Sequence, residues 1–221
     1  MQNFYPVAKQ LKASDNEWIL ENEFVEMETS IIYEVTSLKS GERFVLKYVS
    51  NPNQENSTKE FEIHEKAAQM KIAPEIIEAW MSDKGFIMII KKLSVTVSDL
   101  LQEYKTLEIK NIIVFNVLHI LKKMHFNNIF HGDTHTDNFM AYSDKIPLEN
   151  MSELERYNFM NYKYFAIDFG LISEDNSKEL DYTILLIFLK HFFTHSELRK
   201  IFEPLNIFST EQLDHLLCVT I

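Results

Sequence analysis

Glycine occupies only four of the 221 positions, Gly41, Gly85, Gly132 and Gly170, where roughly 7% is usual. Few sites can therefore take a left-handed backbone at low cost, and the four that exist mark where the chain must bend. Gly41 lies in Lys39-Ser40-Gly41-Glu42, between the strand-like runs Ile31–Val35 and Arg43–Val49, which predicts a β-hairpin. Gly85 follows Ser82-Asp83-Lys84 and precedes Phe86–Ile90, which predicts a second. Gly132 and Gly170 sit in polar clusters instead, His131-Gly132-Asp133 and Asp168-Phe169-Gly170, each flanked by apolar β-type residues. Polar groups held at strand ends beside glycine are candidate chemistry.

Around these marks the pattern predicts an α+β chain. Residues 18–49 read as three antiparallel strands, 58–71 as a helix with Pro74 just beyond its end, and 76–80 and 86–90 as two more strands. From Asp99 onward the chain turns helical. Over 108–127, Val114, Val117, Leu118, Leu121, Met124 and His125 recur at spacings of three and four, the stripe of an amphipathic helix. Short strands are expected at 138–142 and 164–167, and two or three helices from residue 177 onward. The polar stretch Ser143 to Asn161 reads as an insertion or a mobile loop. Two regions result: residues 1–93, an antiparallel sheet with one helix, and residues 94–221, mainly helical.

Composition narrows the function classes. Seventeen Phe and nine Tyr supply enough apolar surface for a packed core, which excludes disorder as the main state. Cys218 is the single cysteine, so no disulfide framework or Cys-rich zinc site forms within one chain. A reducing, cytoplasmic setting is expected. With 22 basic against 33 acidic residues the formal charge is -11, which argues against a long phosphate-tracking surface, so no direct nucleic-acid binding is expected. The apolar run Ile184–Leu189 is too short to span a bilayer. Met1-Gln2-Asn3-Phe4 lacks the basic and apolar regions of a signal peptide.

The polar residues at element ends fall in a telling order. Lys47 lies in the alternating strand Phe44-Val45-Leu46-Lys47-Tyr48. Glu62 follows in Lys59-Glu60-Phe61-Glu62-Ile63-His64-Glu65, with Glu60 and Glu65 as rivals for its role. Then come His131-Gly132-Asp133-Thr134-His135-Thr136-Asp137-Asn138 and Ile167-Asp168-Phe169-Gly170. Over nearly its full length the chain resembles a protein-kinase-like phosphotransferase. Val45–Lys47 is similar to the V-A-I-K strand, His131–Asn138 matches H-x-D-x-x-x-x-N, and Asp168–Gly170 is a complete D-F-G. The joint order makes the signal specific, whereas each motif alone is weak.

The resemblance implies a two-lobed kinase-like fold with a reduced helical C-lobe, and ATP and Mg²⁺ as cofactors. It implies that Lys47 holds the α and β phosphates and pairs with Glu62. Asn138 and Asp168 would hold Mg²⁺, Asp133 would orient or deprotonate the acceptor hydroxyl, and His131 would be a scaffold. Adenine would meet the backbone near Lys91–Leu93, with Ile90 behind it. Asp181 resembles the helix aspartate that braces the catalytic loop.

Three departures stand beside the match. The glycine-rich phosphate loop is missing: Val25, Met27 and Ser30 occupy its glycine positions, and Glu26 and Glu28 add negative charge. Either the hydroxyls of Thr29 and Ser30 contact phosphate or nucleotide binding is weak. Only ten residues separate Gly170 from Asp181, leaving no room for a long activation segment. The compact layout resembles the RIO kinases and the small kinase of the tRNA threonylcarbamoylation (KEOPS) complex, and the 65–74 region resembles compact microbial and viral kinase-like proteins. Gly132 replaces the usual arginine, in the His-Gly-Asp form also found in aminoglycoside and choline phosphotransferases. The expected activity is a Ser/Thr protein kinase acting on a protein substrate, often with a regulatory protein partner. A pseudokinase or regulatory binding module, and a small-molecule kinase, are the alternatives.

Overall fold

The computed structural model describes residues 10–13, 16–26, 30–50, 54–82, 85–171 and 177–218. It is α+β, and the chain divides into two compact units, Met1–Lys92 and Leu93–Ile221.

The first unit is a six-stranded antiparallel sheet in the order β1-β2-β3-β4-β6-β5, with one helix. Its strands are β1 (Gln10–Ala13), β2 (Asn16–Glu26), β3 (Ser30–Ser37), β4 (Arg43–Ser50), β5 (Ile76–Ser82) and β6 (Gly85–Lys91). The helix α1 (Gln54–Gln69) begins four residues before the expected start and ends two before the expected end. Strand β1 escaped sequence analysis because four residues carry too little alternation to register. The β3–β4 hairpin closes through Gly41, at φ +72°, whose N–H donates to the Ser37 carbonyl at 2.8 Å. One face of the sheet buries Trp18, Tyr33, Val35, Leu46, Ile87 and Ile89. Trp18 packs edge-on against Phe44, centroids 5.2 Å apart. The buried Glu34 accepts from Lys92 at 2.6 Å and Arg43 at 3.5 Å. The Lys92 hydrogen bond, above all, holds its pKa below the usual carboxylate value.

The second unit contains a small antiparallel sheet, β7 (Val95–Thr96), β8 (Phe139–Tyr142) and β9 (Lys163–Ala166), in the order β7-β8-β9. Its helices are α2 (Val97–Glu103), α3 (Leu107–Phe126), α4 (Glu153–Met160), α5 (Lys178–Leu189), α6 (His195–Phe202) and α7 (Thr210–Cys218). The α3 stripe buries Val114, Val117, Leu118, Leu121 and Met124, as its periodicity requires. Leu213 and Leu217 of α7 are buried, so the last helix docks on its own unit.

The stretch 143–161 is not a plain loop, because it contains α4. Ser152 caps this helix and Glu155 completes the capping box, a Ser-x-x-Glu signal present in the sequence but easily lost among polar residues. Asn161, left-handed at φ +48°, closes it. Tyr157 anchors the helix to β9 through a 2.7 Å hydroxyl–hydroxyl hydrogen bond to Tyr164. Among the described residues no helix is long and apolar enough to cross a membrane.

Candidate functional site

In the first unit, strand alternation and the pairing of β4 between β3 and β6 fix Lys47 opposite Ile32 and Met88. Its side chain is buried, and Nζ donates to Glu60 Oε1 at 2.6 Å. The two side chains are 9% and 11% exposed, so the pair is largely out of water. Here the expectation of Glu62 as partner is corrected: the partner is Glu60. Helix geometry gives the reason. Glu60, His64 and Ala67 stand at i, i+4 and i+7 on one face of α1, and along it exposure falls from half-buried Glu60 to buried His64 and Ala67. Glu62, two residues along, faces solvent.

His64 completes that face. Its Nε2 lies 2.9 Å from the Pro74 carbonyl, tying α1 to the segment that leads into β5. Burial, chiefly, with a smaller push from the Lys47 charge, lowers its pKa to about 4. The imidazole is therefore neutral at physiological pH and donates its N–H to Pro74.

Besides Lys47, three of the residues assigned to nucleotide lie on this sheet. Ser30 opens β3 opposite Val49 and is buried. Ile90 is half-buried opposite Val45. The Lys91 N–H is already engaged by the Glu75 carbonyl at 2.9 Å. Thr29, with the rest of the segment 27–29, lies outside the described residues. Leu93, the remaining adenine residue, is buried and begins the second unit.

In the second unit the motif residues converge around Asn138. Its Nδ2 donates to the Asp133 backbone carbonyl at 2.9 Å and to Asp133 Oδ2 at 3.0 Å. Its backbone carbonyl accepts the Ile167 N–H at 2.9 Å, which continues the β8–β9 register of Phe139 with Ala166. That bond places Asp168, one residue on, beside the Asn138 backbone. Asp168 has φ +59°, a left-handed conformation that aspartate tolerates better than most residues, at a cost of about 1–3 kcal/mol. It redirects the chain as β9 ends.

Two buried groups hold this loop. Asp181, fully buried at the start of α5, accepts the His131 N–H at 3.0 Å and the Gly132 N–H at 2.7 Å. Its Oδ2 also meets His125 Nε2 at 2.7 Å, and its backbone carbonyl accepts from Thr134 Oγ1. Gly132 stands at φ +79°, which lets two successive N–H groups converge on one carboxylate. His131, fully buried, donates from Nε2 to the Ile167 carbonyl at 2.8 Å. Burial lowers its pKa, keeping the ring neutral while its buried Nδ1 has no partner. The ring packs against Phe169, centroids 5.4 Å apart, so His131 ties the 131–138 loop to the segment carrying Asp168.

The donor set suits a hard divalent cation. Asn138 and Asp168 offer an amide oxygen and a carboxylate, the ligand types Mg²⁺ prefers alongside substrate phosphates. No cluster of three or more His, Cys, Asp or Glu residues offers an alternative metal site among the described residues.

No family model matches the chain, and no curated protein matches it. Among solved structures it matches the crystal structure of the BubR1 kinase domain, with a TM-score of 0.55 and 18% sequence identity. The fold is protein-kinase-like. The match covers 77% of this chain and 51% of that one, so the chain spans about half the length of the solved kinase domain. Sequence reasoning held Glu60 only as a rival of Glu62; the signal that separates them is helix phase relative to buried His64 and Ala67. The same reasoning gave no role to Thr134, an unspecified position within the His131–Asn138 run, and read His125 only as part of the α3 stripe; both meet Asp181.

Proposed function

We propose that the chain is an ATP- and Mg²⁺-dependent phosphotransferase that transfers the γ-phosphate to a Ser or Thr hydroxyl of a protein. The observation that carries this reading is the bond from Asn138 to Asp133, set in a loop whose backbone Asp181 holds from below. A loop this heavily tied suits positioning, which phosphoryl transfer needs more than covalent help. In this reading Asp133 accepts the proton of the acceptor hydroxyl as its oxygen bonds to the γ-phosphorus and the bond to the bridging β–γ oxygen breaks, releasing ADP. Asn138 fixes the carboxylate that receives the proton. Lys47, oriented by Glu60, neutralises phosphate charge. Mg²⁺, held by Asn138 and Asp168, would screen the negative charge of the phosphate oxygens.

The short stretch between Gly170 and Asp181 favours the compact layout resembling RIO and KEOPS kinases over a kinase with a long activation segment, while the His-Gly-Asp triplet is the form also found in aminoglycoside and choline phosphotransferases. A second reading, nucleotide binding or scaffolding without transfer, draws on one observation: the glycine positions of the phosphate loop carry Val25, Met27 and Ser30, with Glu26 and Glu28 between them. Incubation with Mg-ATP carrying a labelled γ-phosphate separates the possibilities. Label on serine or threonine of the chain or of lysate proteins supports the first reading. Label only on small hydroxyl compounds points to a small-molecule kinase, and no label anywhere to binding alone.

A further inference from the structure

The second unit contains an open pocket of about 520 Å³ beside the 131–138 loop, walled by α2, α3, that loop and the end of α5. We infer that this pocket receives an acidic segment of the protein acceptor, selected by Lys105 and Lys110. The inference rests on the phosphotransferase reading and names the substrate class for it.

Three observations carry it. The first is the link to Asp133. His135 Nε2 lies 3.5 Å from Asp133 Oδ2, and its Nδ1 accepts the Asp137 N–H at 3.3 Å. The same ring packs on Phe188, centroids 5.3 Å apart. Asp137 and Phe188 both line the pocket, so a single imidazole separates the pocket from the carboxylate that would take the hydroxyl proton.

The second is charge. The chain carries a formal charge of -11, yet the lining brings together Lys105, Lys110 and His191 against one acidic residue, Asp137. Each ammonium is held by a backbone carbonyl, Lys105 by Gln102 and Lys110 by Phe192 at 3.2 Å. A lysine has three donors, so each keeps capacity for an incoming acceptor. Glu197, the acid whose carboxylate feels the Lys110 charge, is committed to the Thr194 cap through bonds of 2.7 and 2.8 Å.

The third is openness. Gln102, Lys105, Asp137 and His191 are all exposed. Small-molecule sites usually enclose most of their ligand, and this pocket does not. It fits an extended segment laid across it, with carboxylates at the two lysines and apolar contact on Phe188 and Phe192.

The test is binding read by fluorescence anisotropy without nucleotide, using three labelled nonapeptides. Each has a central serine, flanked by glutamates, glutamines or lysines. The wild type should bind the glutamate peptide roughly threefold to tenfold tighter than the glutamine peptide, the scale of a pair of partly exposed charge contacts. The preference should shrink as salt rises from roughly 50 to 300 mM, where screening shortens the reach of exposed charges. In the double variant Lys105→Gln/Lys110→Gln, which keeps most of each aliphatic stem, the preference should vanish. The salt series needs no variant and so stands even if the double variant folds poorly. Equal affinity for the three peptides, or no binding to any, overturns the inference. Transfer from labelled Mg-ATP to the same peptides is measured separately. Acid-selective binding without transfer would retire the phosphotransferase reading and leave the pocket, whereas transfer without acid selectivity would do the reverse.

Discussion

Lys47 and Glu60 form an ion pair of 2.6 Å with both side chains nearly out of water. Removing Glu60 takes a charge-assisted hydrogen bond from Lys47 in a poorly solvated site, at a cost of roughly 1.5–3 kcal/mol. Glu60→Ala should therefore lower unfolding free energy by an amount of that order. Glu62→Ala, on the exposed face of the same helix, should stay within about 0.5 kcal/mol of wild type. Urea denaturation of the two variants decides between them. Equal losses would mean that Lys47 is not committed to Glu60.

Lys47→Ala addresses function as well as fold. If the ammonium meets phosphate, its loss should cost several kcal/mol of transition-state stabilisation, as removal of a fixed charge in a low-dielectric site commonly does. The measurement is kcat/KM for transfer from ATP, made on variant protein whose far-ultraviolet circular dichroism matches wild type. Full activity in Lys47→Ala would remove this residue from the phosphate site.

Asp181 satisfies two backbone N–H groups and a histidine from a fully buried position. Asp181→Ala leaves those donors without an acceptor, each at about 1–3 kcal/mol. A large fall in melting temperature is expected, together with faster hydrogen exchange at the His131 and Gly132 amides. Unchanged exchange at those amides would contradict the bracing role.

The fold was legible where period and punctuation are strong. The α3 stripe and the hairpins at Gly41 and Gly85 follow from residues visible in the chain. Asp133, Asn138 and Asp168 carry their spacing in the sequence, and the structure puts the first two in one hydrogen-bonded loop and the third just past the end of β9. The partner of Lys47 was not. Three glutamates crowd positions 60–65, and only the phase of α1, set by what buries His64 and Ala67, picks Glu60. Helix α4 hid in the same way, because its capping signal lies in a polar stretch and its anchor, Tyr157, makes its hydroxyl contact outside the helix, with Tyr164 of β9.

His64 predicts an acid-side loss of stability. Its folded-state pKa of about 4 lies below the ordinary histidine value of about 6.5. The unfolded chain therefore binds the proton more readily. The contribution is complete above about pH 6.5 and is lost as pH falls toward 4, a change of roughly 3 kcal/mol at 1.36 kcal/mol per pH unit. Buried His131 is displaced in the same direction and adds to the slope. In His64→Gln, which keeps a donor for Pro74, the decline in unfolding free energy between pH 6.5 and 4 should flatten by about one proton. An unchanged slope would mean that His64 does not titrate with folding.

Asn138 and Asp168 make nucleotide binding testable through stability. ATP at about one hundred times its Kd adds roughly 2.7 kcal/mol to the folded state, a rise of about 5–10 °C for a chain of this size. The rise should require Mg²⁺ and should disappear in Asp168→Ala. A rise that persists in that variant would place the cation elsewhere.

The measurement that bears most directly on the proposed activity is single-turnover transfer of a labelled γ-phosphate from Mg-ATP to serine or threonine, in wild type and Asp133→Asn side by side. Asp133→Asn can keep the oxygen that faces Asn138 but cannot take a proton. Transfer by the wild type and a fall of roughly a hundredfold or more in the variant, the usual scale for a positioned general base, is the predicted result. Equal rates in the two proteins, or no transfer by a wild type that binds Mg-ATP, would contradict it.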